Sequence, residues 1–323
     1  MERHRPAMDA SYDRSANVIK LPSAAVKPIQ REKRGTLVRV FSPAGFYWRG
    51  IFRHPQALYF GGPELVFAAC HFNEAEHEGE YYSEFDDPRV EEVLLQSALS
   101  LSIGWDGGVV SLYPYPWTLT ISDQVDLQDP KVTEELGCMI LGSEIVPSYS
   151  LLTDPPPPPP RGGPPYEFRN APMPIDLQLK IWQKVDSRDH LLVRGLAAWL
   201  KARMLMQHQM FTLEALYSLY VALDATFSLI CRKLKEQGIE KPDAWDAHAF
   251  LEEAEGRPNE GFPYFGDFYV DRVSTMHPES RYGVFPYAPV SNCDAHTLFE
   301  NLREVFRLII LGEVIDPKNY VDV

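Results

Sequence analysis

Arg272 and His277 are the two residues of this chain best suited to phosphodiester chemistry. They lie in the run Asp271-Arg272-Val273-Ser274-Thr275-Met276-His277. A guanidinium is a fixed positive charge shaped to grip phosphate oxygens, and an imidazole exchanges protons near neutral pH. Ser274 and Thr275, between them, offer hydroxyl donors, Arg281 a second cation, and Asp271 a carboxylate beside the arginine. The same spacing recurs at Arg49/His54 and Arg203/His208, so spacing alone does not single out a site. Only the third copy stands between a helix-rich stretch and a strongly amphipathic last helix. On a straight helix five residues turn through about 140° and rise about 7.5 Å, so the two side chains do not share a face. Pro278 disfavours helical geometry at the residue before it. His277 is therefore predicted to end its helix, where its ring can turn into a cleft.

A metal centre is the other chemistry worth weighing. His71, Glu74, His77 and Glu78 are the right ligand types. Their run lacks the spacing that puts two histidines on one helix face, so neither metal nor cofactor is expected. Cys70, Cys138, Cys231 and Cys293 are far apart and form no Cys-x-x-Cys pair. They are predicted to be buried free thiols in a reducing compartment.

The elements that must position these residues follow from composition and pattern. The chain has 323 residues, enough for two domains, and is 45% hydrophobic. Its net charge of -14 argues against a protein that coats nucleic acid through a broad basic surface. A small basic cleft in an acidic body remains compatible with it. The first 34 residues carry eight lysines and arginines against four acids, and residues 74–87 carry seven acids. A solvated face is favoured for each over a contact between them. No hydrophobic signal core opens the chain and no uninterrupted apolar run reaches the ~18 residues of a membrane span. A cytoplasmic protein without membrane contact is expected.

Residues 1–35 lack apolar periodicity and read as a flexible basic arm. From Thr36 short β-branched and aromatic runs predict hairpin strands over 37–41, 46–51, 57–60 and 64–72. A helix starting at Asp87-Pro88 carries Val90, Val93, Leu94, Ala98 and Leu101 on one face, and strands follow over 109–112 and 117–121. Residues 36–150 thus read as an α+β domain of unknown role. Six prolines, Pro155 to Pro160, mark residues 151–174 as a semi-rigid linker; a ligand for a proline-binding module is the sharper alternative. Residues 175–323 read as an all-α domain, with helices over 176–185, 189–206, from Thr212 to before Gly238, over 243–255, a brief one bearing Arg272, and a last one from after Asp294 to Gly312. The longest is predicted to bury Leu213, Leu216, Tyr217, Tyr220, Leu223, Phe227, Ile230 and Leu234. The last is predicted to bury Leu298, Leu302, Val305, Phe306, Ile309 and Ile310.

The helical half resembles the HEPN superfamily, nearest in style to its Apea-like branch. The resemblance rests on Tyr269 to His277 followed by a loop and an amphipathic last helix, and on Ala222-Leu223-Asp224 within the longest helix. It covers roughly residues 175–315. It implies a helical bundle and metal-independent endoribonuclease activity on RNA, with Arg272 and His277 catalytic. It also implies a homodimer with both motifs lining one cleft, and a toxin or defence role under a protein regulator. Asp224 lies close to the apolar stripe and needs a partner there, for which Arg272 is the natural candidate. Catalytic members usually place a polar residue directly after the arginine, where this chain has Val273. That departure and the acidic balance favour the alternative, a catalytically inactive HEPN-like module that binds a protein or nucleotide. The two readings differ in whether Arg272 faces an accessible cleft or is consumed by Asp224 or Asp271.

Overall fold

Residues 65–70 are apolar at every position, as suits a strand covered on both faces rather than one wetted on one side. A computed structural model describes residues 11–13, 18–20, 34–41, 46–73, 89–103, 117–121, 123–142, 166–206, 209–255, 264–276 and 292–312. In it this run is the core of β7 (Leu65–Asn73), near the middle of an antiparallel sheet. β7 pairs with β6 (Ala57–Gly62) and β3 (Arg34–Val40); β5 (Gly50–His54) and β8 (Trp117–Ile121) form the two edges. Its residues alternate between two cores. Val66, Ala68 and Cys70 join the cluster that includes the helices, and Leu65, Phe67 and Ala69 join a smaller one on the opposite face.

The smaller core is closed by α2 (Pro130–Gly142), which contributes Leu136 and Ile140. Its start is set by Asp129, whose carboxylate accepts the Lys131 N–H at 2.9 Å, and by a proline at the first helical position. The larger core is closed first by α1 (Val90–Leu101), every residue of which is buried except Glu91. Glu92 accepts the Arg89 N–H at 2.9 Å, closing the first turn. The same carboxylate, nearly buried, accepts from Arg39 of β3 at 2.6 Å and so ties helix to sheet.

The helical half is built from α3 (Ile175–Lys184), α4 (His190–Leu205), α5 (Thr212–Glu236), α6 (Ala244–Glu255), α7 (Tyr264–Met276) and α8 (Asn292–Leu311). α4 and α5 pack most closely, at Gly195: a Cβ there would meet that of Ala225 at 2.7 Å and the Phe306 ring at 3.1 Å. Trp199 stacks on Phe299 with centroids 4.7 Å apart and donates to its carbonyl at 3.0 Å. α5 ends where Gly238 takes a positive φ of 102°, letting the Ile239 N–H reach back to Leu234 O at 3.0 Å. By length and composition α5 passes for a membrane span, yet its apolar stripe meets α4 and α8 in the bundle.

Several expectations change. The core does not divide at the proline run: residues 34–323 form one compact unit, and the larger cluster runs from Phe41 of the sheet half to Leu311 of α8. The reason is that α1 has too much apolar surface for the sheet alone to cover, and α3 and α4 cover the rest. The chain also returns to the first half after residue 165, where β9 (Glu167–Phe168) pairs in parallel with β4 (Phe46–Tyr47) and Tyr166 donates to Phe41 O at 2.7 Å. Within residues 1–33, part of the stretch 1–35 that reads as a flexible basic arm, β1 (Ser11–Asp13) and β2 (Val18–Lys20) pair antiparallel. Tyr217, expected in the core, is 38% exposed. Cys70 and Cys231 are buried free thiols, but Cys138 and Cys293 are exposed. The prolines, the acidic run and the strand expected over 109–112 lie outside the described residues.

The two halves are joined by Arg307 of α8, which is 1% exposed. It donates from Nε to Leu101 O at 2.5 Å, from Nη2 to Ile103 O, and from Nη1 to Glu304 at 2.8 Å. Arg307→Ala is expected to lower the unfolding free energy by about 3–5 kcal/mol in urea denaturation, because the carbonyls of Leu101 and Ile103 lose their donor and Glu304 keeps only Arg303. A loss under about 1 kcal/mol would show that the guanidinium does not hold this junction.

Candidate functional site

α7 lies antiparallel along α5, and three contacts set the register. Phe265 meets Phe227 with ring centroids 5.3 Å apart, Arg272 meets Asp224, and Thr275 Oγ1 lies 3.3 Å from the Tyr220 hydroxyl. On α5 the partners 220, 224 and 227 recur at four and three, so one helical stripe faces α7. Phe265 and Thr275 are each 4% exposed, which makes them the fixed ends of this contact. Thr275 therefore points into the bundle, rather than outward to a phosphate as its position in the motif suggests.

Between these ends Arg272 Nη1 donates to Asp224 Oδ1 at 2.6 Å, the pairing expected from sequence. The pair is open to solvent: the arginine side chain is 29% exposed and the aspartate 51%. Partial burial pushes the Asp224 carboxyl above its usual value, and the attraction of Arg272 offsets this only in part. A short contact and a raised pKa pull in opposite directions here. On the other side the Arg272 guanidinium carbon sits 5.9 Å from the centroid of the Tyr269 ring, one turn earlier, and Tyr269 is 58% exposed.

α7 ends at Met276, as Pro278 predicts for a helix that must stop near residue 277. His277, Arg281 and the side chains of Asp271 and Ser274 lie outside the described residues. Arg272, Asp224 and Thr275 are thus the site residues that the structure places on one helix–helix seam, and Tyr269 joins them unforeseen. Its signal was its spacing: three residues before the arginine, it shares the arginine's face of a helix.

The other copies of the arginine–histidine spacing are occupied structurally. Arg49 lies 5.6 Å over the Phe168 ring, and His54 packs 4.9 Å from Trp182, where burial lowers its pKa. Arg203 lies 5.5 Å over Phe299, with burial pushing its pKa down to about 10, and His208 lies outside the described residues. Of the metal-ligand candidates only His71 is described, 2.7 Å from the Val125 carbonyl oxygen, and the described residues contain no metal-binding cluster. Compared with protein-family models, curated proteins and solved structures, the chain matches none.

Because the pair is exposed, it contributes no more than about 1 kcal/mol to stability. Asp224→Asn is expected to leave the melting transition within that margin while freeing Arg272 for an anion. With a raised folded-state pKa, the stability Asp224 contributes is present below the usual carboxylate range and lost as pH rises through the raised value. Thermal melts from acid to neutral pH should show this small dependence in the wild type and lose it in the Asn variant.

Proposed function

We propose that the chain is a HEPN-like endoribonuclease that cleaves RNA by transesterification without a metal, using Arg272 and His277. One observation carries the reading: Arg272 is held by Asp224 at the solvent-facing edge of α7, a helix whose last residue, Met276, directly precedes His277 in the sequence. A ribose 2′-hydroxyl attacks the adjacent phosphorus, and the 5′-oxygen of the next nucleotide leaves. The products are a 2′,3′-cyclic phosphate and a 5′-hydroxyl. His277 takes the proton from the 2′-hydroxyl or supplies one to the leaving oxygen, and Arg272 stabilises the charge that grows on the phosphoryl oxygens. Asp224 orients the guanidinium and yields it to the phosphate. A single histidine cannot do both proton transfers at once, which favours a homodimer with two motifs in one cleft. A toxin or defence role in the cytoplasm, under a protein regulator, follows from the resemblance alone.

The second reading is a catalytically inactive HEPN-like module that binds a protein or nucleotide. The observation that favours it is the 2.6 Å contact between Asp224 and Arg272, which already neutralises the arginine. Val273, half-buried directly after it, adds no polar group.

Cleavage of several RNAs in EDTA by wild-type protein, His277→Ala and Arg272→Ala separates the two. The nuclease reading expects the wild type to cut and His277→Ala to slow cutting by about 10²- to 10⁴-fold. Absence of cutting by folded wild-type protein on every RNA would move the assignment to the binding module. A solution mass matching a single chain at micromolar concentration would remove the dimer.

A further inference from the structure

Tyr269 is left in water although α7 has an apolar face to spend. Phe265 and Thr275 of the same helix are each 4% exposed and Phe268 is packed partly inside, but Tyr269 is 58% exposed. An aromatic ring is a large apolar surface to leave in solvent. It also stands one turn from Arg272, on the same side of the helix, with the guanidinium carbon 5.9 Å from the ring centroid. Ring and cation are thus side by side at one solvent-facing edge, while Asp224 holds the cation from the α5 side. Further along, past the Thr275–Tyr220 contact in the direction α7 runs, lies Tyr217, a second aromatic that is 38% exposed.

We propose that Tyr269 is the base-stacking residue of this site: its ring takes the nucleobase beside the phosphate that Arg272 holds. The proposal rests on the reading of Arg272 as an RNA phosphate ligand and adds a specificity to it. A nucleotide carries base and phosphate on one sugar, so a ring beside a cation engages both ends of the same unit. Stacking needs a base face that no neighbour covers, so the site takes unpaired nucleotides and rejects duplex. Stacking is also the contact an acidic chain needs. With a net charge of -14 the protein gains little from long-range attraction to a polyanion. Affinity must come from short-range contacts, and stacking on an aromatic ring tolerates any base.

The test is fluorescence anisotropy of the full chain with a labelled 2′-O-methyl oligoribonucleotide, which cannot be cleaved, as single strand and as duplex. Wild type, Tyr269→Phe and Tyr269→Ala are compared at two salt concentrations. The wild type is expected to prefer the single strand, Tyr269→Phe to match it, and Tyr269→Ala to bind about 5- to 150-fold more weakly. Tyr269 is exposed, so both variants should melt with the wild type. Equal binding by Tyr269→Ala, equal affinity for duplex, or no binding of single strand by the wild type would each overturn the proposal. If Tyr269→Ala loses binding but no protein cuts RNA, stacking stands and the nuclease reading falls. If the wild type cuts RNA and Tyr269→Ala binds as well as it does, the reverse holds.

Discussion

A guanidinium with 1% of its surface in water must find a partner for every N–H, and in this chain that need joins a sheet to a bundle. A helix leaves its last carbonyls without partners. α1 answers this with a residue more than 200 positions away, when Arg307 caps the carbonyls of Leu101 and Ile103. The Trp48 indole donates to Leu99 O at 3.1 Å, and Gln178 of α3 donates to the hydroxyl of Ser102 at 3.1 Å. The end of one helix is therefore the meeting point of the β4–β5 segment, α3 and α8. Such a buried, hydrogen-bonded charge specifies one arrangement of the halves, because any other leaves it unpaired in the interior.

The same ionic chemistry has a different consequence at two ion-pair sites of the bundle. Glu304 and Arg307 meet where their side chains are 18% and 1% exposed, and Arg303 lies between Glu300 and Glu304 at 3%. Those guanidinium groups have almost no water to return to. Arg272 and Asp224 are equally close but 29% and 51% exposed, so water competes for both and the pair exchanges its partner at little cost. One pairing is fixed structure; the other is a resting contact that an incoming anion can replace. Seen this way, the acid beside Arg272 agrees with ligand binding as well as with a closed structural pair. What decides between them is the competing ligand's charge and reach.

The helical half was largely legible in the sequence. Thr212 and Gly238 bracket α5, Gly312 with a φ of 76° follows α8, and all six apolar positions assigned to α8 are buried. Caps and a period near 3.6 are local signals, and they survive whatever the tertiary context. α2 was missed although Val132, Leu136 and Ile140 recur at four behind an Asp-Pro start, because a stripe one residue wide is faint beside the strands that precede it. Tyr217 was misplaced for the opposite reason. It fits the period of α5, but α7 turns Thr275 to 220 and Phe265 to 227, and 217 stays 38% exposed. The merging of the two halves into one core was not legible, since nothing local to α1 or α3 says which partner covers each face. At the site, the Asp224–Arg272 pair was readable because a carboxylate near an apolar stripe demands a cation. Tyr269 was not, because its exposure is a property of packing.

A continuous core also changes what the sheet half can be. As an independent domain on a proline tether it would sample many positions and act as a recruiting module, its geometry independent of the helices. Here β3 is held to α1 by Arg39 and Glu92, α1 is held to α8 by Arg307, and α8 packs on α5, which carries Asp224. Each link is a buried or partly buried contact, so the seam between α5 and α7 inherits its rigidity from the sheet as well as from the bundle. Under the proposed nuclease reading, a residue that must hold a phosphate in register with a proton donor gains from such support, since small misplacements are costly in catalysis. The sheet is then scaffold for the site.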